Sequence, residues 1–298
     1  MQLSNTWKAT VGLMIGAILC LPAQAAAEKK IIMRYSHSSA AMVEEPHHTA
    51  ALDFKKYVNS CRVRPLPSMS SIFLPFRTNQ EGWAILDKYW DELNAKTIKE
   101  SGNRIIGWLD LGYRHVCNSK RPIRTIEDLK GLKIRVPNNP VMINTFRAWG
   151  CEPTPLAWDE TFNALQQKVV DGQENSYVVF ASNKFEEVQK YMTELRYKLQ
   201  IIVMVVNDTW LKKQPADIQQ AILEGGRLAT KHNREMIMAM EARLKPAMKK
   251  AGVEILDKPE DENVWEEKAM ALWPDHYPKI GNLALLDKMM ADLHRKRP

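Results

Sequence analysis

Residues 131–139 read GLKIRVPNN, and this stretch sets the expectation for the fold. Gly131 ends a short helical turn, because glycine is the usual residue just past a helix. The apolar pattern of residues 132–136 predicts a strand, and Pro137 ends it because proline lacks the N–H that a sheet needs. A helix is then expected over residues 140–149. This alternation of helix, strand and helix indicates an α/β fold.

Similar segments lie on both sides of this stretch. Strands are expected at 31–35, 104–108 and 199–206, and helices at 45–57, 81–99 and 159–169. The β-branched run at 199–206 predicts a central strand that is buried on both faces. A helical pattern extends from 215 to 251, interrupted at Gly225 and Gly226 and kinked near Pro246.

The 298 residues are enough for two domains. We therefore expect two α/β lobes joined by crossing strands and braced by the long helix. The predicted boundaries place the first lobe at 26–135, the second lobe with the hinge strand at 136–210, and the long helix with the C-terminal segment at 211–298.

Residues 1–25 have the pattern of a secretory signal peptide. A positive residue, Lys8, precedes the apolar run 11–21, and Ala23-Gln24-Ala25 matches a cleavage site. The run is too short to span a membrane. The sequence therefore predicts a periplasmic protein that has lost this segment.

The net charge of +7 does not indicate a nucleic-acid partner. The 42 Lys and Arg residues are spread among 35 Asp and Glu residues, apart from a short basic run at the C-terminus. A mixed, solvated surface explains that distribution better than a basic binding face does.

Removal of the signal leaves Cys61, Cys117 and Cys151, an odd number that allows at most one disulfide. Their spacing excludes a Cys-x-x-Cys motif. His115 beside Cys117 suggests a nucleophile and its base, but no orienting partner can be named, and we expect packing and a hydrogen bond instead.

Signatures of catalysis and of cofactor binding are absent: the sequence has no G-x-S-x-G, H-E-x-x-H, Walker A or G-x-G-x-x-G motif. We therefore expect a protein that is not an enzyme and holds neither a metal nor a cofactor. The adjacent His47 and His48 point apart on a helix and seldom share an ion. The competing hypothesis is a secreted hydrolase that uses Asp171 and Glu174 as a carboxylate pair.

A binding site for an organic anion is the stronger hypothesis. Arg135 ends a predicted strand, where its planar guanidinium can hold a carboxylate through two hydrogen bonds. Residues 173–175 end another strand element and offer amide groups at the same edge, where open α/β sheets bind ligands. Trp158 could supply a flat apolar wall.

Several motifs resemble, in order, the periplasmic receptors of tripartite ATP-independent periplasmic (TRAP) transporters, of the dicarboxylate-receptor (DctP) type. They extend over most of 73–253 and include GYRH at 112–115, LKGLKIRVPN at 129–138, PTPLAW at 153–158 and VDGQEN at 170–175. The resemblance implies a two-lobe receptor that captures a small organic acid and delivers it to a membrane permease.

The resemblance also implies site residues. Arg135 takes the carboxylate-pairing role, Asn175, Asn138 and Trp158 line the pocket, Arg114 is a second cationic contact, and His37 touches the ligand from the other lobe.

The sequence departs from the family pattern near residues 60–72. Residue 60 leads almost directly to the LPF segment at 74–76, so that several tens of residues of the first lobe are missing relative to the family. The alternative to a working receptor is therefore a remnant that cannot bind, because a shortened core and exposed strand edges destabilise a lobe.

Overall fold

Two β-sheets with helices packed on them form the part of the chain that the computed structural model describes, residues 76–280 and 282–298. Several predictions lie outside the described residues: the signal peptide, the first strand and helix, the shortened stretch at 60–72, His37, His47, His48 and Cys61. Within the described ranges, no helix is both long and apolar enough to cross a membrane.

The eight strands of the described region are short except for two. They are β1 (Asn103–Tyr113), β2 (His115–Asn118), β3 (Lys133–Val136), β4 (Glu152–Pro155), β5 (Gly172–Asn175), β6 (Tyr191–Thr193), β7 (Leu199–Asn207) and β8 (Glu254–Leu256).

The helices alternate with these strands. They are α1 (Asn79–Lys88), α2 (Trp90–Ser101), α3 (Pro140–Ala148), α4 (Thr161–Gln166), α5 (Tyr177–Ser182), α6 (Asp208–Lys212), α7 (Ala216–Lys250), α8 (Glu262–Met270), α9 (Trp273–Ile280) and α10 (Leu283–Asp292). Two 3-10 helices lie at Ile126–Leu129 and Phe185–Glu187.

The strands divide into two sheets. β1 and β7 pair antiparallel, and the other six have the order β4-β3-β5-β2-β6-β8. In the larger sheet β3 is parallel to β4 and β5, whereas β2 is antiparallel to β5 and β6. The chain crosses between the sheets three times: at Arg114 between β1 and β2, at residues 194–198 between β6 and β7, and through α7 between β7 and β8. The α/β architecture that we expected is confirmed.

The prediction of a strand at 199–206 is confirmed as β7, and its expected burial on both faces holds in part, at the consecutive buried residues Met204, Val205 and Val206. Within the described residues β7 pairs only with β1, and Ile202 and Val203 are partly exposed. β-Branched composition indicates a strand without fixing the number of its neighbours.

The predicted long helix is α7, and the expected interruption at Gly225 and Gly226 is wrong. α7 is continuous through both glycines. A Cβ added at Gly226 would lie 2.0 Å from the carbonyl oxygen of Ile106 in β1. Glycine is therefore required because the helix and the strand approach closely at this point.

Polar contacts along α7 reach both sheets. In the first half of α7, Thr230 Oγ1 accepts the Trp108 N–H of β1 at 3.0 Å. Near its second half, Lys245 Nζ lies 2.7 Å from a carboxylate oxygen of Glu194, which follows β6. α7 therefore braces the two sheets against each other.

Two predicted helices have different bounds in the structure. The helix expected over 81–99 is divided into α1 and α2 at Tyr89, whose hydroxyl donates to Asp292 Oδ2 at 2.8 Å. The helix expected over 159–169 is shortened to α4, and Lys168 just beyond it has a left-handed φ of 59°. Both differences coincide with a local backbone conformation that periodicity does not report, since Tyr89 has a φ of −97° and a ψ of 14°.

The C-terminal helix α10 belongs to two hydrophobic cores. Leu285 and Met289 pack with the core that includes Leu93 and Ile105, beside the small sheet. Leu286 and Met290, one residue further along, pack with the core of the larger sheet. α10 is therefore a second element that ties the two sheets together.

Candidate functional site

The carboxyl ends of β3 and β5 lie side by side at one edge of the larger sheet. The two strands are parallel, with Arg135 opposite Gln173. β3 ends one residue after Arg135, and β5 ends at Asn175. The structure therefore brings Arg135 and Asn175 to the same edge, which is where ligands of such sheets bind.

Arg135 is 3% exposed, and its guanidinium is held by neutral groups. Nε and Nη2 both donate to the Leu156 carbonyl, at 3.1 and 2.7 Å. Its central carbon lies 5.4 Å from the ring centroid of Trp158. These contacts fix the plane of the guanidinium without neutralising its charge.

Within the described residues, no carboxylate pairs with Arg135. Burial lowers its pKa to about 10, against a smaller opposing effect of Glu174. The side chain is therefore still a cation at neutral pH. A buried cation that lacks a counterion is costly unless an anion joins it.

Asn175 is buried, and its amide group donates to Gln173 Oε1 at 3.1 Å. Gln173 and Asn175 are two residues apart on one strand, so both side chains lie on the face of the sheet that Arg135 shares. Two amide groups therefore accompany the arginine at this edge.

Trp158 and Asn138 differ in how firmly they are held. Trp158 is half-buried, and its ring packs edge-on against the buried Phe185 at a centroid distance of 5.8 Å. Asn138, just after β3, is exposed. The tryptophan is a fixed wall beside Arg135, whereas Asn138 lies at the rim.

Arg114 is buried in an ion pair with Glu174 of β5. Its Nη2 donates to Glu174 Oε1 at 2.6 Å and to the Glu174 carbonyl at 2.8 Å, and its Nε donates to Oε2. Nη1 donates to Gln200 Oε1 of β7. All three nitrogens therefore have partners inside the chain, which distinguishes Arg114 from Arg135.

Three residues that the sequence did not single out complete this network. Tyr197 donates its hydroxyl to Glu174 Oε2, and Gln200 accepts from Arg114. Lys198 is buried between them, and its carbonyl accepts the Arg114 N–H at 2.9 Å. Tyr197 and Lys198 precede β7, where no motif marked them, and Gln200 lies in the predicted strand without any sign of a polar role.

His115 and Cys117 do not form a nucleophile pair. Both are buried on β2, and burial lowers the pKa of His115 to about 3 while raising the pKa of the Cys117 thiol. His115 Nδ1 accepts the Arg196 N–H at 3.4 Å. The thiol therefore stays protonated, and an imidazole with so low a pKa is too weak a base to ionise it.

The carboxylates of Asp171 and Glu174 have separate partners. Asp171 Oδ2 accepts the Lys133 N–H at 3.0 Å, and Oδ1 lies 3.4 Å from Lys120 Nζ. The two residues are three positions apart on an extended chain, so they lie about 10 Å apart and point to opposite faces. They therefore do not share a site in the way that a catalytic pair requires.

Three cavities of the described region lie away from this edge of the sheet. One of about 490 Å³ is lined by Trp149, Tyr197 and Trp265, and Arg135, Asn175 and Trp158 do not contribute to it. The described residues contain no group of three or more His, Cys, Asp or Glu that could hold a metal ion.

Comparison with known proteins extends these observations. A family model described as bacterial extracellular solute-binding protein, family 7 (DctP), matches residues 45–279. A solute-binding protein of Verminephrobacter eiseniae is 35% identical over 182 residues, which are 61% of this chain and 54% of that protein.

A second relative has a more specific description. The 2,3-diketo-L-gulonate-binding periplasmic protein of Escherichia coli is 30% identical over 199 residues, which are 66% of this chain and 60% of that protein. The matches therefore span little more than half the length of these two curated relatives.

A solved structure shares the fold. It is a TRAP periplasmic solute binding protein from Rhodobacter sphaeroides, in an open form without ligand, with a TM-score of 0.72 and 32% identity. The similarity covers 87% of this chain and 97% of that chain. The two-lobe fold that the motifs implied is therefore confirmed.

Proposed function

The chain belongs to family 7 of the bacterial extracellular solute-binding proteins, the DctP family, and from that premise we propose that it is a periplasmic receptor for a small organic acid. In this proposal the acid's carboxylate pairs with Arg135, and the loaded receptor delivers its solute to a TRAP membrane permease. No reaction is catalysed.

The state of Arg135 is the observation that carries this proposal. The side chain is buried, cationic and held by a carbonyl and an aromatic face, and no described carboxylate neutralises it. A planar guanidinium that is already oriented gives a carboxylate two hydrogen bonds at little further entropic cost. An organic anion is the ligand that this arrangement favours.

Neighbouring groups would complete the contact. Asn175 and Gln173 offer amide donors and acceptors for hydroxyl or carbonyl groups of the solute, and Trp158 offers an apolar face for its carbon chain. Asn138 would contact the solute at the exposed rim. His37 keeps the role that the family resemblance implies for it.

The relatives support an acid as the solute. The Escherichia coli protein is named for 2,3-diketo-L-gulonate, which is a sugar acid with one carboxylate. The Rhodobacter sphaeroides protein is described as a TRAP periplasmic solute binding protein. A carboxylate-bearing solute, a periplasmic location and a TRAP permease as partner are the corresponding parts of our proposal.

The competing hydrolase hypothesis has no supporting geometry. Glu174, the residue on which it depends, is fully buried and is bound by Arg114 and Tyr197. A carboxylate with these partners is not available to activate water.

Isothermal titration calorimetry tests the proposal. The purified chain would be titrated with succinate, D-glucuronate and 2,3-diketo-L-gulonate. For each acid that binds, Arg135→Ala should weaken binding by about 2–5 kcal/mol, roughly 30- to 5,000-fold in Kd. Arg147→Ala is the matched control, because Arg147 is an exposed arginine on α3.

Unchanged affinity in Arg135→Ala, or absence of binding to every organic acid in the wild-type chain, would overturn the proposal. Affinity should also depend on the free carboxylate of the acid. The methyl ester of a bound acid is therefore expected to bind to the wild-type chain as weakly as the acid itself binds to Arg135→Ala.

A further inference from the structure

Gln173 is a buried glutamine whose amide nitrogen has no hydrogen-bond partner among the described residues. The side chain is 0% exposed, and its two amide atoms differ. Oε1 accepts the Asn175 amide N–H at 3.1 Å, whereas Nε2 donates to no described group. A buried donor without a partner destabilises a protein, and native structures contain few of them. The Nε2 donor therefore favours an acceptor from outside the chain.

The backbone places Gln173 beside Arg135. The two residues are direct partners in the parallel pairing of β3 and β5. Partners in a sheet point to the same face, and adjacent strands lie about 4.8 Å apart. The Gln173 side chain therefore lies next to that of Arg135, at the edge of the sheet where we place the solute.

Two donors on this face of the sheet are unused. Arg135 Nε and Nη2 both donate to the Leu156 carbonyl, whereas Nη1 forms no hydrogen bond within the described ranges. Gln173 Nε2 is the second unused donor. A guanidinium N–H and an amide N–H on neighbouring strands suit the two oxygens of one carboxylate.

The hydrogen bond with Asn175 fixes the roles of the two Gln173 amide atoms. Because Oε1 accepts the Asn175 N–H, Nε2 remains the donor. Gln173 therefore offers the site an N–H group, which suits an acceptor such as a carboxylate oxygen. An ammonium group or an alkyl group at this place would leave the donor unpaired, so the site discriminates against both.

We propose that Gln173 binds the solute directly, with its Nε2–H donating to the carboxylate that Arg135 holds. This inference rests on the proposed function, because it adds a second donor for the same carboxylate. Asn175 then serves the hydroxyl and carbonyl groups of the solute. Gln173 thus contributes to the preference of the site for a carboxylate, although it carries no charge.

Calorimetry on Gln173→Met tests the contact. Methionine has a similar length and removes the donor without changing the charge of the site. For each acid that the wild-type chain binds among succinate, D-glucuronate and 2,3-diketo-L-gulonate, the variant should bind roughly 10- to 100-fold more weakly. This is the loss expected for one hydrogen bond to a charged group.

Gln189→Met is the matched control. Gln189 is also a buried glutamine, but its Nε2 already donates to the carbonyls of Asp171 and Val188, at 3.3 and 3.2 Å. Its replacement should lower stability and leave the affinity for the acids unchanged. The control therefore separates a donor that serves the solute from one that serves the fold.

A double-variant comparison separates direct contact from an effect through Asn175. Gln173→Met should still weaken binding by roughly 10-fold or more when it is introduced into Asn175→Ala. If Gln173 acts only by orienting Asn175, the double variant should bind each acid as tightly as Asn175→Ala alone.

Gln173→Met is expected to fold, because an apolar side chain of similar shape replaces a buried polar group that lacks one partner. A cooperative transition in urea denaturation checks this expectation. Gln173→Leu repeats the binding measurement with a branched side chain.

Unchanged affinity in Gln173→Met and Gln173→Leu, with binding lost in Arg135→Ala, would overturn the role of Gln173 and leave the receptor proposal intact. A double variant that binds as tightly as Asn175→Ala would also overturn the direct contact. Absence of binding to every acid by the wild-type chain would overturn both proposals.

Discussion

Arg114 and Glu174 form a buried ion pair across 60 residues of sequence, with Nη2 of the arginine 2.6 Å from Oε1 of the glutamate. Arg114 stands where the chain crosses between the two sheets, and Glu174 lies on β5 of the larger sheet. Through Nη1, Arg114 also reaches Gln200 of the smaller sheet. The pair therefore fixes the crossing point that lies next to the proposed site.

Removing one partner of this pair should destabilise the fold. Glu174→Ala leaves the Arg114 guanidinium buried without a counterion, so we expect the free energy of unfolding to fall by about 3–5 kcal/mol. Urea denaturation followed by circular dichroism measures this change.

The Arg234–Asp87 pair provides the control for Glu174→Ala. It is also bidentate, with both N···O distances at 2.7 Å, but half of the Asp87 side chain is exposed. Asp87→Ala should cost about 1 kcal/mol or less. Equal losses in the two variants would contradict the importance of burial at Glu174.

Gly226→Ala should destabilise the protein although alanine favours helices by about 1 kcal/mol over glycine. The added Cβ would lie 2.0 Å from the Ile106 carbonyl oxygen, so α7 and β1 would have to move apart. We expect a net loss of about 1–3 kcal/mol in urea denaturation. Arg227→Ala, at the next and exposed position, should stay within about 0.5 kcal/mol of the wild type.

Local chemistry made much of the fold predictable. Gly131, with a φ of 74°, and Pro137 bracket β3 as expected. Asp128 accepts the Thr125 N–H at 2.9 Å at the start of the preceding turn. Such signals lie within a few residues of the start or the end of the element that they mark. Periodicity does not report the division of the predicted helix at Tyr89, where the backbone leaves the helical conformation with a φ of −97° and a ψ of 14°.

The residues of the site were predictable where a local pattern marks them, and their distant contacts were not. Arg135 could be proposed from its place at a strand end, because that position depends only on local pattern. The partner of Arg114 could not be found, since a contact between residues 114 and 174 leaves no trace in spacing. Lys198 looked like one of many lysines, and only its burial distinguishes it.

Stability should depend on pH through Glu241. Its Oε1 lies so close to Gly112 that a Cβ added there would be 2.3 Å away. Burial, with the nearby charge of Asp110 and against that of Arg196, raises the pKa of Glu241 to about 7. The folded state therefore keeps this proton between pH 4.5 and 7, where the unfolded chain has released it. The free energy of unfolding contributed by this group should fall as the pH rises through that interval.

Glu241→Gln isolates that contribution. The neutral amide should remove the decline and make the variant more stable than the wild type above pH 7, by about 1–3 kcal/mol. Urea denaturation at pH 5 and pH 8 measures the difference, and Glu235→Gln, exposed on the same helix, is the control. A variant with the same pH slope as the wild type would show that Glu241 ionises normally.

Trp158 should affect ligand affinity through Arg135. Its ring lies 5.4 Å from the guanidinium carbon and helps to hold the plane that a carboxylate would meet. Trp158→Leu keeps an apolar contact with Phe185 but removes the aromatic face, so we expect a loss of about 0.5–2 kcal/mol in binding of the cognate acid. Trp83 makes the same type of contact with Arg234, at 5.3 Å, on a different surface. Trp83→Leu should therefore lower stability without changing affinity, and calorimetry on both variants separates a role in binding from one in packing. If both variants bind the acid as tightly as the wild type, the guanidinium of Arg135 does not depend on Trp158 for its orientation.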